Sequence, residues 1–374
     1  MKKFLAIFLM LAMIFALCAC GQAEESAPAE ETATEAPAEE TNDETATEAT
    51  DSTVPASADE AKAQGRKVLV MNQHNSKEST NGMFTQCFVD YVNENSDTLY
   101  VDVYYNGELG GIQETLEGAI MGTIDIGGCS FAQLATFYPD MEVWSMPYLY
   151  TDPMDGAKIV DLEKNTLLAE MVEECNEVSG MTIFALTYSI DARQLTCNFP
   201  VYSPDDLAGQ KIRCITNPVY TMCIEGMGGT PVPIDWTETI SALTTGTVVG
   251  QENPYATLAS YQMWDCQKYV METNHMFDFG VSYICTDTWN SLTEEEQQIL
   301  RDATDAQQEY QNEILSTNIE DYKQQLVDNG MTIITADDGL DVEAFKAGVD
   351  KLKYEDYPQY ADYYAFIEDY LANY

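Results

Sequence analysis

Basic residues are scarce in this chain. Seventeen lysines and arginines stand against 63 aspartates and glutamates, and two histidines occur in 374 residues. A formal charge of −46 argues against nucleic-acid binding, because phosphate contacts demand clustered Lys and Arg. It argues equally against adsorption to anionic lipid. His74 and His275 alone cannot build a multi-histidine centre, so no metal site is expected. Also missing are a Gly-x-Ser-x-Gly elbow, a phosphate-binding glycine loop ending in Lys-Ser/Thr, and a His-Glu-x-x-His run. Those absences point away from catalysis, and neither enzyme activity nor a cofactor is expected. Ten cysteines are present, but no Cys-x-x-Cys pair. Beyond Cys18 and Cys20 they are scattered singly from Cys87 to Cys285, and read mostly as small buried thiols, with disulfides left open.

Long apolar runs are absent too, except at the start. Lys2 and Lys3 precede the apolar stretch Phe4–Leu17. As a helix it would span about 21 Å, short of the roughly 30 Å hydrocarbon core, which is signal-peptide length. It ends in Leu17-Cys18-Ala19-Cys20-Gly21, which resembles the lipobox of bacterial lipoproteins. That resemblance implies a signal peptide over 1–19 and lipidation of Cys20, making a lipid anchor the only membrane contact. Residues 20–65 form an acidic tether of Glu, Ala, Thr, Pro and Ser with no aromatic residue. It cannot bury enough apolar surface to offset ordering entropy, and its charges repel.

Residues 66–374 have globular composition and length enough for two lobes. Strand signals (Val68–Met71, Leu99–Tyr105, Ile124–Gly127, Met181–Tyr188, Arg193–Asn198, Lys211–Ile215, Val248–Val249, Lys268–Glu272, Val281–Thr286, Met331–Thr335) alternate with helix signals. The helices expected are Met83–Val92, Gln113–Met121, Asp155–Glu177, Tyr220–Met227, Thr237–Thr245, a long amphipathic one from Thr293 to Val327, and a Tyr-rich helical tail. The pattern predicts an α/β fold: two lobes with mostly parallel sheets, flanking helices and a long C-terminal helix. One lobe takes about 66–189 with part of 275–374. The other takes about 190–274 with part of the C-terminal helices.

Between Lys77 and Lys268 the only cations are Lys158, Lys164, Arg193, Lys211 and Arg213. Arg193 and Arg213 fall on strands, so each must either meet a buried carboxylate or face a cleft. From Tyr188 onward an ordered series of motifs appears. It comprises Arg193, Ser203-Pro204-Asp205-Asp206-Leu207-Ala208-Gly209-Gln210-Lys211-Ile212-Arg213, Gly229-Thr230-Pro231-Val232-Pro233, Trp236, and Ala242 to Pro254 ending in Gly250-Gln251-Glu252-Asn253-Pro254. With Thr273-Asn274-His275, Leu292-Thr293-Glu294-Glu295, Gly107-Glu108-Leu109-Gly110 and Pro147-Tyr148-Leu149-Tyr150, the series resembles the solute-binding proteins of tripartite ATP-independent periplasmic (TRAP) transporters, the dicarboxylate-binding-protein (DctP) family. The resemblance covers essentially the whole body.

That resemblance implies a periplasmic-binding-protein-like fold, type II-like, and a receptor closing on a small organic acid. It implies that Arg213 grips the solute's carboxylate, with Arg193 and Asn253 in support and Trp236 packing on the solute. It further implies polar contacts from the loop after the first strand (Asn72 and His74 within 72–75), from Ser130 and from Thr216. A guanidinium fork matches a carboxylate with two parallel donors, which Lys cannot do. At about 4 Å and an effective dielectric near 20, such a pair gains roughly 4 kcal/mol before desolvation. Surface acids farther than about 8 Å are largely screened, so the chain's acidity does not cancel it. TRAP membrane subunits are the implied partner, and the outer face of the cytoplasmic membrane the implied location. Two departures stand out: Val249 replaces the family's aspartate, and the loop Gln73–Thr80 is slightly longer and carries His74, Lys77 and Glu78. Rival readings are a sensor presenting solute to a membrane histidine kinase, a binding protein for another transporter class, and a lipid-anchored enzyme.

Overall fold

The computed structural model describes residues 54–374. The expectations for the signal peptide, Cys20 and most of the tether lie outside the described residues. The tether nevertheless ends earlier than expected, because Ala58–Ala63 is a helix. Ser57 caps it by accepting from Glu60 N, Glu60 reaches back to Ala56 N at 2.9 Å, and Ala61 is fully buried. A small apolar residue in an Ala/Glu-rich stretch gives no sequence signal of such docking.

Eleven strands occur among the described residues: β1 (Lys67–Asn72), β2 (Leu99–Tyr104), β3 (Ile126–Ser130), β4 (Met181–Tyr188), β5 (Arg193–Cys197), β6 (Lys211–Cys214), β7 (Thr230–Pro233), β8 (Gly250–Pro254), β9 (Tyr269–Met276), β10 (Phe279–Cys285) and β11 (Thr332–Ile334). They form two sheets, ordered β2-β1-β3-β10-β4 and β11-β9-β5-β8-β6-β7. Parallel pairing holds for β1 with β2 and β3, for β6 with β7 and β8, and for β9 with β11. The sheets are mixed rather than mostly parallel, because β10 runs antiparallel to β3 and β4, and β5 to β8 and β9. Both reversals come from strands that follow a passage between sheets. The chain passes from β4 to β5 through 189–192 and returns from β9 to β10 through 277–278. The two crossings lie side by side, with Ser189 N donating to Asp278 O at 2.9 Å.

A third link is the helix Glu294–Asp328, about 52 Å long at 1.5 Å per residue. Thr293 and Glu296 form a reciprocal cap at its start. It packs on the helix Thr80–Asn95 and on β4, then on the helix Tyr255–Ser260 and on β11. Residues from these three helices meet in a small apolar cluster of Phe84, Ala256 and Leu315.

Three further differences have local causes. The single helix expected over 155–177 breaks into Asp155–Ile159 and Thr166–Ser179. Buried Asn165 intervenes, donating to Ile159 O and accepting from Leu168 N, so it stops one helix and caps the next. The strand expected at Val248–Val249 begins instead at Gly250. There an added Cβ would lie 2.3 Å from Thr196 O, so the close strand approach requires glycine. The proline-bearing turn after Gly229 is strand β7, tolerated because it sits at a sheet edge. The Tyr-rich tail is two helices, Val342–Asp356 and Ala361–Asn373, joined by a turn at Pro358–Tyr360. Tyr360, Tyr364 and Ile367 enter the main core. The eight described cysteines are free thiols, six of them buried.

Candidate solute site

Between the two sheets lies a cavity of about 300 Å³. Its walls come from the loop after β1, the end of β3, both crossings, the strands β5, β6 and β8, the segment around Trp236, and the middle of the long helix.

Arg213 lies on β6, where the alternation of the strand sends Ile212 into the core and Arg213 to the cavity. It is 2 % exposed, and its Nε donates to Ile234 O at 2.9 Å. Among the described residues no carboxylate comes within ion-pair distance, and its two Nη atoms have no hydrogen-bond partner. Burial lowers its pKa to about 10, with Glu252 and Asp235 opposing and Arg193 adding repulsion. The group stays cationic at neutral pH. Its guanidinium carbon sits 5.8 Å from the centre of the Trp236 ring.

Arg193 is the opposite case. It lines the same cavity, yet its donors are taken. Nε and Nη2 grip both Glu252 oxygens, Nη2 also reaches Glu252 O and Asn253 Oδ1, and Nη1 meets Asp278 Oδ2 at 2.6 Å. Burial alone would raise the Glu252 pKa. Arg193, and His275 whose Nε2 lies 3.3 Å away, hold it near 2 instead. Asn253 is likewise engaged, its oxygen by Arg193 and its nitrogen by Gln251 Oε1. Arg193 and Asn253 therefore form a buried frame next to Arg213 whose mutual bonds are already made.

Trp236, half-buried on the wall, meets Tyr261 edge-on at 4.7 Å between ring centres. The Tyr261 hydroxyl donates to Asn75 Oδ1 at 2.8 Å and accepts from Ser76 N at 3.3 Å. The aromatic beside Arg213 is thus tied to the loop after β1. His74 sits on the cavity wall, and burial pulls its pKa down to about 4 despite nearby Asp235, so it is neutral at physiological pH. Ser130 caps the short helix Phe131–Leu134 and donates to Gln133 Oε1 at 3.1 Å. Thr216 lies on the lining and is exposed.

Asn72 departs from expectation. Its side chain is buried away from the cavity, donating to Gly110 O at 2.9 Å and Thr115 Oγ1 at 2.6 Å. Alternation along β1 turns it toward the Gly107–Gly111 turn, while Gln73, His74 and Asn75 reach the wall. Sequence reasoning missed Asp235, Asp278, Asp191, Gln133 and Tyr261. Asp235 directly precedes Trp236, which was a usable signal. Asp278 carries none, being one acid among 63. Asp191, buried on the first crossing, is pushed up to about 7 by desolvation, against the bond it accepts from Ala256 N at 2.8 Å.

Two mixed sheets, paired crossings and a cavity between them holding an unpaired guanidinium define a solute receptor of the binding-protein class. The chain belongs to the bacterial extracellular solute-binding proteins, family 7, whose family model matches residues 71–357. The ectoine-binding periplasmic protein TeaA of Halomonas elongata is 30 % identical over 224 residues, 60 % of this chain and 65 % of that protein. A crystal structure of a TRAP periplasmic solute-binding protein from Bordetella, its ligand density assigned to pantoate, superposes with a TM-score of 0.74 at 26 % identity, covering 82 % of this chain and 99 % of the other. One from Roseobacter denitrificans with bound L-galactonate gives 0.73 at 23 %, covering 81 % and 98 %, a likeness of fold. Relatives of this kind bind and hand over solutes rather than transform them, and the family acts outside the cytoplasm. Among the described residues, no helix is long and apolar enough to cross a membrane.

Proposed function

We propose that this protein is an extracytoplasmic receptor that holds a small organic acid by its carboxylate on Arg213 and delivers it to TRAP-type membrane subunits. The reading rests on one observation: a buried guanidinium whose fork faces a cavity with no carboxylate of the described residues within ion-pair distance of it. A buried cation left so is costly unless a guest anion completes it. The ligands named for the two TRAP structures, pantoate and L-galactonate, each carry a carboxylate. Trp236 covers the guanidinium, and Arg193 with Asn253 holds the adjacent strands in register. Lipidation at Cys20 would tether the receptor beside its membrane partner.

Calorimetry on an organic acid that stabilises the wild type tests the assignment. Arg213→Ala is expected to abolish binding, and Arg213→Lys to weaken it about a hundredfold, because an ammonium lacks the parallel fork. Unchanged affinity in Arg213→Ala discards the proposal.

A further inference from the structure

The cavity's charge inventory narrows the ligand class, an inference that rests on Arg213 holding a carboxylate. Among the described residues two guanidiniums reach the wall, and Glu252 and Asp278 already engage that of Arg193. No lysine lines the cavity, and His74 is neutral at physiological pH. The cavity therefore offers one cation to a guest.

Against it stand three acids on the wall: Asp191, which accepts from Ala256 N at 2.8 Å, and the less engaged Asp235 and Asp278. Asp235 caps the helix Trp236–Thr244, and its Oδ1 accepts from Thr237 N at 2.9 Å and Thr237 Oγ1 at 2.8 Å. Its Oδ2 has no donor among the described residues. Asp278 accepts from Arg193 and from the Tyr220 hydroxyl, and its side chain remains 28 % exposed. A guest with one carboxylate on Arg213 is compensated. A second carboxylate would meet Asp235 or Asp278 with no cation left to offset it, and such juxtaposition of like charges discriminates strongly between ligands.

The rest of the wall mixes apolar side chains such as Phe84, Ile112 and Phe279 with hydroxyls and amides. Among the described residues, Gln133 turns its Oε1 to Ser130 and leaves its nitrogen without a partner, and Gln311 gives its nitrogen to Tyr188 O and leaves its oxygen without one. Gln307 lines the cavity with both ends unbonded among the described residues. Such a mixture of donors and acceptors matches hydroxyls, each of which does both.

We propose that the solute is a polyhydroxy monocarboxylate, and that Asp235 is a specificity residue turning dicarboxylates away. An ammonium tail would be drawn to Asp235 or Asp278 but would leave the amide donors of Gln133 and Gln307 unmatched, so 6-aminohexanoate is the competing occupant that the test has to exclude.

The test uses six-carbon acids matched in length on the purified full chain, by thermal shift and then calorimetry. The panel is the hexonates (gluconate, galactonate and gulonate taken as a set), adipate, 6-aminohexanoate and hexanoate. The best hexonate is expected to bind on the order of a hundredfold tighter than adipate. Asp235→Asn, which preserves the cap, is expected to narrow that ratio about tenfold. Adipate, hexanoate or 6-aminohexanoate matching the best hexonate overturns the proposal, as does a panel in which no hexonate stabilises the protein. An unchanged ratio in Asp235→Asn overturns the role given to that residue. Arg213→Ala on the tightest acid separates the two levels. If its binding survives, the carboxylate reading itself fails; if it is lost while adipate is preferred, only the ligand class is wrong.

Discussion

Glu252→Gln probes the frame beside the cavity. The carboxylate is 1 % exposed and accepts from Arg193 through both oxygens, with His275 Nε2 3.3 Å from Oε2. Burial would raise its pKa above the ordinary 4.5, but Arg193 and His275 bring it to about 2. That depression corresponds to about 3 kcal/mol of native-state stability. The sign follows from a lowered folded-state value. The contribution is complete above about pH 4.5, erodes as the pH falls, and is gone below about 2. Glutamine keeps the shape but leaves Arg193 paired with Asp278 alone, so the variant should lose about 3 kcal/mol at neutral pH. Urea unfolding followed by circular dichroism measures the difference between wild type and variant. It should shrink to roughly half at about pH 3. Equal midpoints at neutral pH, or a difference that stays constant down to pH 3, would refute the reasoning.

Asp191→Asn should act in the opposite direction. Burial raises Asp191 from 3.8 to about 7, so the wild type loses stability as pH rises through that window, and the variant should gain on the order of 2–4 kcal/mol above pH 7 with little gain near pH 4, read as Tm against pH. Tyr261→Phe keeps the ring against Trp236 but removes the bonds to Asn75 and Ser76; at about 1 kcal/mol each, the solute should bind up to roughly thirtyfold more weakly by calorimetry. Gly127→Ala places a Cβ 2.4 Å from the Tyr283 hydroxyl, and should cost about 1–3 kcal/mol in denaturant unfolding.

Strand β6 was legible because Lys211-Ile212-Arg213-Cys214 alternates and its arginine stands among apolar neighbours. What that arginine lacks, a carboxylate partner, was not legible. Arg193 looks the same in sequence, and its two partners lie 59 and 85 residues away. Pairing across strands is a property of register, which the sequence does not display. The face of β1 was also ambiguous: one position separates Asn72, turned to Thr115, from Gln73 on the cavity wall. The long helix announced itself through Thr293 and the acids after it, because capping is local. Antiparallel pairing of β5 and β10 was missed for the converse reason, since direction depends on where the chain comes from.

The position of β10 has a consequence for assembly. It lies between β3 and β4, though nearly a hundred residues separate it from β4 in the chain. A nascent chain that stops short of Phe279 would present β3 and β4 with bare hydrogen-bonding edges, open to pairing with other chains. The first sheet therefore closes only after most of the second has been synthesised, and neither half can be produced alone as a stable receptor. A split-protein reporter should accordingly be cut in a surface loop within one half, never at a passage between the sheets.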